Sequence, residues 1–96
     1  MAKTLVKVTR KDNKLVKRTL VLIDNRVLPF ENSDEINVFI WSGTKYEVTV
    51  YCEGPKGAST TVSFDKSGGQ VIAPLVAEVE THYGVTHSSD EFTVAA

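Results

Sequence analysis

The sequence has little of what several functional classes depend on. One cysteine in 96 residues excludes an internal disulfide framework. Its apolar runs, such as those at residues 20–23 and 38–41, are only four residues long, whereas a helix spanning a bilayer needs roughly 18. Neither a nucleophile elbow, G-x-S-x-G, nor a glycine-rich phosphate loop occurs. We therefore predict no membrane span, no cofactor and no enzymatic activity.

Length and composition indicate one globular domain over residues 1–96. The chain is 42% hydrophobic and 24% charged, and this balance disfavours disorder. The first five residues contain a lysine but no apolar core of a signal peptide. We accordingly expect the protein to stay in the cytoplasm or to assemble into a virion.

Residues 45–52 show the clearest alternation in the chain. Every second side chain is apolar there, with Tyr46, Val48, Val50 and Cys52 on one face. The opposite face is polar, as in a strand that is buried on one side. Cys52 is then a buried, unreactive thiol.

Similar segments, separated by turns, run along most of the chain. Residues 4–10 and 14–23 are predicted to form a hairpin whose lysines protect an exposed edge. A turn at residues 88–90 is expected to precede a last strand at 91–94. About seven short strands in fewer than 100 residues predict an all-β, two-sheet β-sandwich.

Residues 71–85 allow two interpretations. Pro74 at a first helical position and Gly84 as a stop suit a helix near residues 74–83, which would make the fold α+β. The many β-branched residues favour strands, with Pro74 at an edge.

Two C-terminal segments resemble bacterial and phage immunoglobulin-like domains. One is Val62-Ser63-Phe64-Asp65-Lys66-Ser67-Gly68-Gly69, and the other is Gly84 followed by Ser88-Ser89-Asp90-Glu91-Phe92-Thr93-Val94. The paired cysteines of antibody domains are absent. The resemblance implies an immunoglobulin-like sandwich with a binding, spacing or decorating role.

Charge is unevenly distributed along the sequence. Residues 1–18 hold seven basic side chains against Asp12 alone, and the remainder holds four against eleven acidic ones. The basic residues are Lys3, Lys7, Arg10, Lys11, Lys14, Lys17 and Arg18. We expect them to meet an acidic surface on a protein partner or on another copy. Nucleic acid is disfavoured as a partner because no aromatic residue precedes Phe30 to stack on bases.

Two further sites are weaker alternatives. Glu78, Glu80 and His82 would share one face of a strand and could converge on a metal ion. Trp41 and Tyr51 could provide an aromatic surface for carbohydrate or for a protein. The function predicted first is a non-catalytic structural or interaction module that acts through protein contacts. A carbohydrate- or other ligand-binding module is the alternative, and a metal-binding protein or metal-dependent enzyme is the third.

Overall fold

The computed structural model describes residues 2–95, which form eight strands joined by turns. The strands are β1 (Lys3–Asp12), β2 (Arg18–Ile23), β3 (Arg26–Val27), β4 (Glu35–Trp41), β5 (Lys45–Pro55), β6 (Ser59–Lys66), β7 (Gly69–Glu78) and β8 (Tyr83–Thr93). Sheet A has the antiparallel order β4-β1-β6-β7, and sheet B has the antiparallel order β3-β2-β5-β8. The predicted all-β, two-sheet sandwich is confirmed.

The helical alternative for residues 74–83 is wrong. These residues lie in β7, in the following turn and at the start of β8. In the part of the chain that the structure describes, no helix is long and apolar enough to cross a membrane.

The core lies between the sheets and is built from alternate residues of the central strands. On β5, Val48, Val50 and Cys52 are fully buried, which confirms the face predicted for residues 45–52. Sheet A contributes the fully buried side chains of Val6, Val8, Val62 and Phe64. Each such valine stabilises the fold by about 2 kcal/mol relative to an exposed position.

The predicted hairpin between residues 4–10 and 14–23 is wrong, because β1 and β2 belong to different sheets. Residues 13–17 cross from one sheet to the other. Asn13 fixes this crossing: its Nδ2 donates to the Gly57 carbonyl at 2.8 Å, and its Oδ1 accepts from the Leu15 N–H at 3.1 Å. β1 lies between β4 and β6, so its lysines do not protect an edge.

The turn expected at residues 88–90 is also wrong. These residues belong to β8, where Ser88, Ser89 and Asp90 pair with residues 50, 49 and 48 of β5. The ladder with β5 provides the backbone hydrogen bonds that these turn-favouring residues would otherwise seek locally. β8 is therefore an eleven-residue strand.

β7 is an irregular edge strand of sheet A. Its register with β6 shifts between Val62 and Phe64, opposite the segment that contains Pro74, and shifts again between Phe64 and Asp65. Pro74 has no N–H to donate, so a bulged edge strand is the place in a sheet that accepts it. This confirms the prediction of Pro74 at an edge.

Candidate interaction edge

The outer face of sheet A carries exposed apolar side chains where β1 and β4 lie side by side. Leu5 pairs with Phe39, and Lys3 pairs with Trp41. Phe39 is 68% exposed, Leu5 46% and Trp41 45%. The Lys3 ammonium lies 4.9 Å from the centroid of the Trp41 ring, within range of a cation–π interaction. We call these four residues the aromatic patch. Large contiguous patches of exposed apolar side chains are a common feature of interaction surfaces.

β4 is an edge strand, and its hydrogen bonds show which backbone groups face outward. The Asp34 carbonyl accepts from the Arg10 N–H at 2.8 Å, and the Ser42 N–H donates to the Ala2 carbonyl at 2.8 Å. Even-numbered residues therefore point their backbone groups toward β1. Successive residues of an antiparallel strand point to opposite sides, and the register with β1 is unbroken. The odd-numbered residues of β4 point toward the open edge.

Two hydroxyl groups occupy the ends of this open edge. The Ser33 hydroxyl accepts from the Glu35 N–H at 3.1 Å and donates to the Glu35 carbonyl at 3.0 Å. At the other end, the Tyr46 hydroxyl accepts from the Trp41 N–H at 2.8 Å. The Trp41 carbonyl accepts from the Thr44 N–H at 3.4 Å. The edge is therefore capped at Glu35 and at Trp41.

Between the caps, the N–H and C=O groups of Asn37 and Phe39 face outward with no strand beside them in the described structure. We call these four groups the β4 window. A groove of about 550 Å³ runs next to it, between β4 and the β2–β3 edge of sheet B. Leu28, Val38 and Ile40 are among the apolar residues that line the groove. A strand added at the window would place alternate side chains in this groove.

The other strand edges carry features that oppose pairing. β3 has only two residues, and β7 has Pro74 and two register shifts. On β8, an eleven-residue strand, the Asp90 carboxylate accepts from the Glu91 N–H at 2.8 Å, which occupies one backbone donor near the C-terminal end of that edge. Short strands, proline, bulges and charged side chains are the usual means of preventing edge-to-edge association. None of them interrupts β4 between its caps.

The seven basic residues of the N-terminal segment do not form one surface. Lys3, Lys7 and Lys11 lie on the outer face of sheet A, Arg10 on the inward phase of β1, Lys14 and Lys17 in the crossing segment, and Arg18 at the start of β2 in sheet B. Several have acidic neighbours within the chain. The ion pairs are Lys7 with Glu35 (3.4 Å), Arg10 with Asp34 (3.2 Å) and with Asp12 (3.7 Å), and Arg18 with Glu53 (3.8 Å). The charge asymmetry of the sequence is therefore partly neutralised by folding.

Arg10 is held against the rest of the domain. Its guanidinium lies 4.9 Å from the centroid of the Phe30 ring and bonds Asp34 at 3.2 Å. Its side chain is 20% exposed. These contacts attach residues 30–34 to β1 and so position Ser33, the residue that caps the open edge. Arg10 supports the site and does not belong to its exposed surface.

Trp41 and Tyr51 do not share a surface. Trp41 lies on the outer face of sheet A, whereas Tyr51 is 37% exposed on the outer face of sheet B. Tyr51 stacks at a tilt on His87, with 5.7 Å between the ring centroids. Beside Tyr51 is a shallow hollow of about 160 Å³, lined in part by Arg18 and Glu53. The joint site predicted from these two aromatic residues is therefore not formed.

The predicted cluster of Glu78, Glu80 and His82 is not formed on one strand, because β7 ends at Glu78. Glu80 and His82 lie in the turn before β8, and all three side chains are exposed. Among the described residues, no group of three histidine, cysteine or acidic side chains is placed to hold a metal ion. The strand geometry that motivated the metal hypothesis is wrong.

Cys52 is buried between the sheets, as the alternation in β5 predicts. Burial raises the pKa of its thiol, and the negative charge of Asp12 raises this pKa further. At neutral pH the side chain is a neutral thiol, the form least suited to nucleophilic chemistry.

One residue of this edge, Trp41, was identified from the sequence. The other three, which are Ser33, Asn37 and Phe39, were not identified. The sequence signal for Phe39 and Asn37 is the phase of residues 36–41, where Phe39 and Trp41 fall on the same face as the polar Asn37. Ser33 lies before this segment and has no such signal. An aromatic side chain on the polar face of a strand is expected to be exposed.

Comparison of the chain with known proteins found no relative. The chain matches no protein-family model, no curated protein and no solved structure.

Proposed function

We propose that this chain is a non-catalytic structural or interaction module that binds a strand of protein along the open edge of β4. The observation that carries the proposal is the β4 window, in which Asn37 and Phe39 offer four backbone groups beside an exposed aromatic side chain. Strand addition uses such groups for affinity and the adjacent side-chain sites for specificity. The proposal covers a subunit of a larger assembly, such as a virion, as well as an adaptor, because both need only this contact.

The arrangement of apolar side chains supports the same proposal. A strand paired at the window would have one face against the groove at Val38 and Leu28 and the other beside Phe39. Apolar side chains are therefore favoured on the groove side. The bound strand would also cover part of the aromatic patch.

A synthetic strand tests the proposal without knowledge of the natural partner. The probe is a blocked peptide of alternating valine and threonine, with one lysine at each end for solubility. We expect it to shift the amide resonances of Asn37 and Phe39 in a saturable manner. The control peptide carries N-methyl groups on the residues that would face β4, which removes their donors. It should cause no shift.

Two variants at one position sharpen this test. Asn37→Pro removes an N–H that faces the open edge, while the bonds between β4 and β1 are kept. Asn37→Thr keeps the N–H and suits a strand. Peptide binding should be lost in the first variant and kept in the second. If the peptide at millimolar concentration fails to shift these amides in a sample of the natural chain that is dilute enough to be monomeric, the proposed function is wrong.

A carbohydrate-binding role for Tyr51 is the second candidate, and the hollow beside its ring favours it. Arg18 and Glu53 there place charged hydrogen-bonding groups next to an exposed aromatic face. The volume of about 160 Å³ is below the roughly 300 Å³ at which ligand pockets begin. Titration with glucose, galactose and mannose oligosaccharides tests this role. It is excluded if none of them shifts the Tyr51 ring resonances at millimolar concentration.

A further inference from the structure

We propose that the strand bound at the β4 window is β4 of a second copy of this chain, antiparallel to the first and related to it by a two-fold axis at Val38. This inference rests on the proposed function and names its partner. It follows from three independent features: the positions of the open backbone groups of β4, the charges of Glu35 at one end of β4 and of Lys3 beside its other end, and the apolar residues on its inner side.

The open backbone groups select one register. In a two-fold antiparallel pair centred at Val38, Asn37 of each copy lies opposite Phe39 of the other. All four open groups of each copy then bond one another, which gives four intermolecular hydrogen bonds. A pair centred on Asn37 would set Phe39 against Glu35, whose backbone groups Ser33 already occupies.

A pair centred on Phe39 meets the same obstacle at the other end of the strand. It would set Asn37 against Trp41, whose N–H bonds Tyr46 and whose carbonyl accepts from Thr44. Only the register centred at Val38 uses every open group without displacing a cap. The caps thus determine the alignment as well as the length of the window.

The same register brings opposite charges together. Glu35 of one copy then lies opposite Trp41 of the other, on the outer face of the joined sheet. The ammonium of Lys3 lies 4.9 Å from the centroid of the Trp41 ring. A Glu35 carboxylate placed opposite Trp41 is therefore also next to Lys3 of the other copy. The contact occurs twice, because the axis is two-fold. Glu35 is 56% exposed and its present partner, Lys7, is 51% exposed, so the carboxylate can reach a second lysine at small cost.

Apolar contact accompanies the hydrogen bonds on the inner side. The two Val38 side chains face each other at the axis, next to the groove that Leu28 and Ile40 also line. Val38 is only half-buried in the single chain. Pairing therefore removes further apolar surface from water, which favours association. The product is one continuous eight-stranded sheet made from the two copies of sheet A.

The experiment is the solution mass measured by sedimentation equilibrium over a wide range of concentration. We expect the mass to rise from the 10.5 kDa of one chain toward twice that value. Asn37→Pro should stay monomeric, and Asn37→Thr should associate as the natural chain does. A charge exchange then tests the register. Lys3→Glu and Glu35→Lys should each weaken association by roughly tenfold, because two repulsive contacts replace two attractive ones.

A mixture of the two charge variants is the decisive sample. A Lys3→Glu copy facing a Glu35→Lys copy has opposite charges at both contacts, so mixing should restore association to within about threefold of the natural chain. Thermal melting of each variant shows that it is folded. A natural chain that stays monomeric at every concentration overturns the inference, and so does a dimer that is indifferent to Asn37→Pro or is not restored by mixing.

The peptide experiment distinguishes failure of the dimer inference from failure of the proposed function. If the valine–threonine peptide binds at Asn37 and Phe39 while the chain stays monomeric, the edge is functional and its partner is a different protein. If neither the peptide nor a second copy binds, both the inference and the proposed function are wrong.

Discussion

Asp12 on β1 and Thr19 on β2 join the two sheets directly, through a 3.0 Å hydrogen bond from the threonine hydroxyl to Oδ1. The same carboxylate oxygen accepts from the hydroxyl of Thr60 on β6. Thr60 is fully buried, and the only other acceptor among the described residues for its single hydroxyl hydrogen is the more distant Lys11 carbonyl at 3.4 Å. One carboxylate thus serves hydroxyl groups from both layers of the sandwich.

We expect Asp12→Ala to lower the free energy of unfolding by about 1–3 kcal/mol, because it leaves a buried hydroxyl poorly paired. Asp12→Asn keeps an acceptor oxygen and should cost less. Urea denaturation measures both. The control is Thr61→Val, on the outer phase of the same strand as Thr60, which should change stability by no more than about 0.5 kcal/mol. Equal effects of Asp12→Ala and Thr61→Val would contradict this role of the carboxylate.

Gly54→Ala should destabilise the fold by about 1–3 kcal/mol through overpacking. A Cβ at Gly54 would lie 2.7 Å from the Ala58 Cβ and 2.7 Å from the Leu15 carbonyl oxygen. Gly84 is paired with Gly54 across the β5–β8 ladder. It therefore provides a control for the same substitution at a neighbouring position in the sheet. The nearest atom to a Cβ there is 3.7 Å away, so Gly84→Ala should be tolerated. Thermal melting of the two variants side by side checks the difference.

Stability should fall as the pH rises above 9, the ordinary pKa of a cysteine thiol. Burial raises the pKa of Cys52 in the folded chain, so between the unfolded and folded values the native state holds a proton that the unfolded state has lost. The stabilisation is complete below the unfolded pKa and is lost as the pH rises through the folded one. Hydrogen bonds to carboxylates also raise the pKa of Tyr83 and of Lys45, through Glu53 and Glu91 respectively.

The thiol contribution can be separated from those of the other two groups. Cys52→Ala lacks the thiol, so its urea midpoint should decline less between pH 8 and pH 10 than that of the natural chain. The slope is compared, and a constant loss of stability from the smaller side chain does not affect it. Identical slopes would show that Cys52 does not titrate as its burial requires.

Amide exchange should alternate along β4. The amides of Ile36, Val38 and Ile40 face β1 and should be protected, whereas those of Asn37 and Phe39 should exchange rapidly in dilute solution. Raising the protein concentration should protect Asn37 and Phe39 selectively, because pairing occupies them. Deuterium exchange followed by NMR measures each amide. Uniform protection along β4 in dilute solution would contradict the phase assigned to this strand.

The faces of the strands could be predicted from the sequence, but their neighbours could not. Alternation shows that Val48 and Val50 are buried, because burial depends on the phase of a residue within its own strand. It contains no information about which strand lies alongside. The hairpin expected between residues 4–10 and 14–23 failed for this reason. Asn13 holds the crossing between sheets through Gly57, a residue far away in the sequence.

Two parts of the candidate site illustrate the same limit. Trp41 was predicted to be a surface residue, and its exposure follows from its phase. The capping of the edge by the Ser33 and Tyr46 hydroxyls could not be predicted in this way. It depends on the turn before β4 and on sheet B, which bring these two residues to the edge. Residues 88–90 likewise form part of a strand and not the expected turn, because their hydrogen bonds with β5 override the local preference of serine and aspartate for turns.

Pro74 limits the number of chains that could join through sheet A. A protein with two open edges on one sheet adds subunits from both ends and forms filaments, whereas one with a single self-complementary edge closes after one addition. The proline and the bulges of β7 remove the far edge of sheet A from such pairing. Under the proposed pairing of β4 with β4, growth through this sheet would therefore stop at two chains and would not produce fibres.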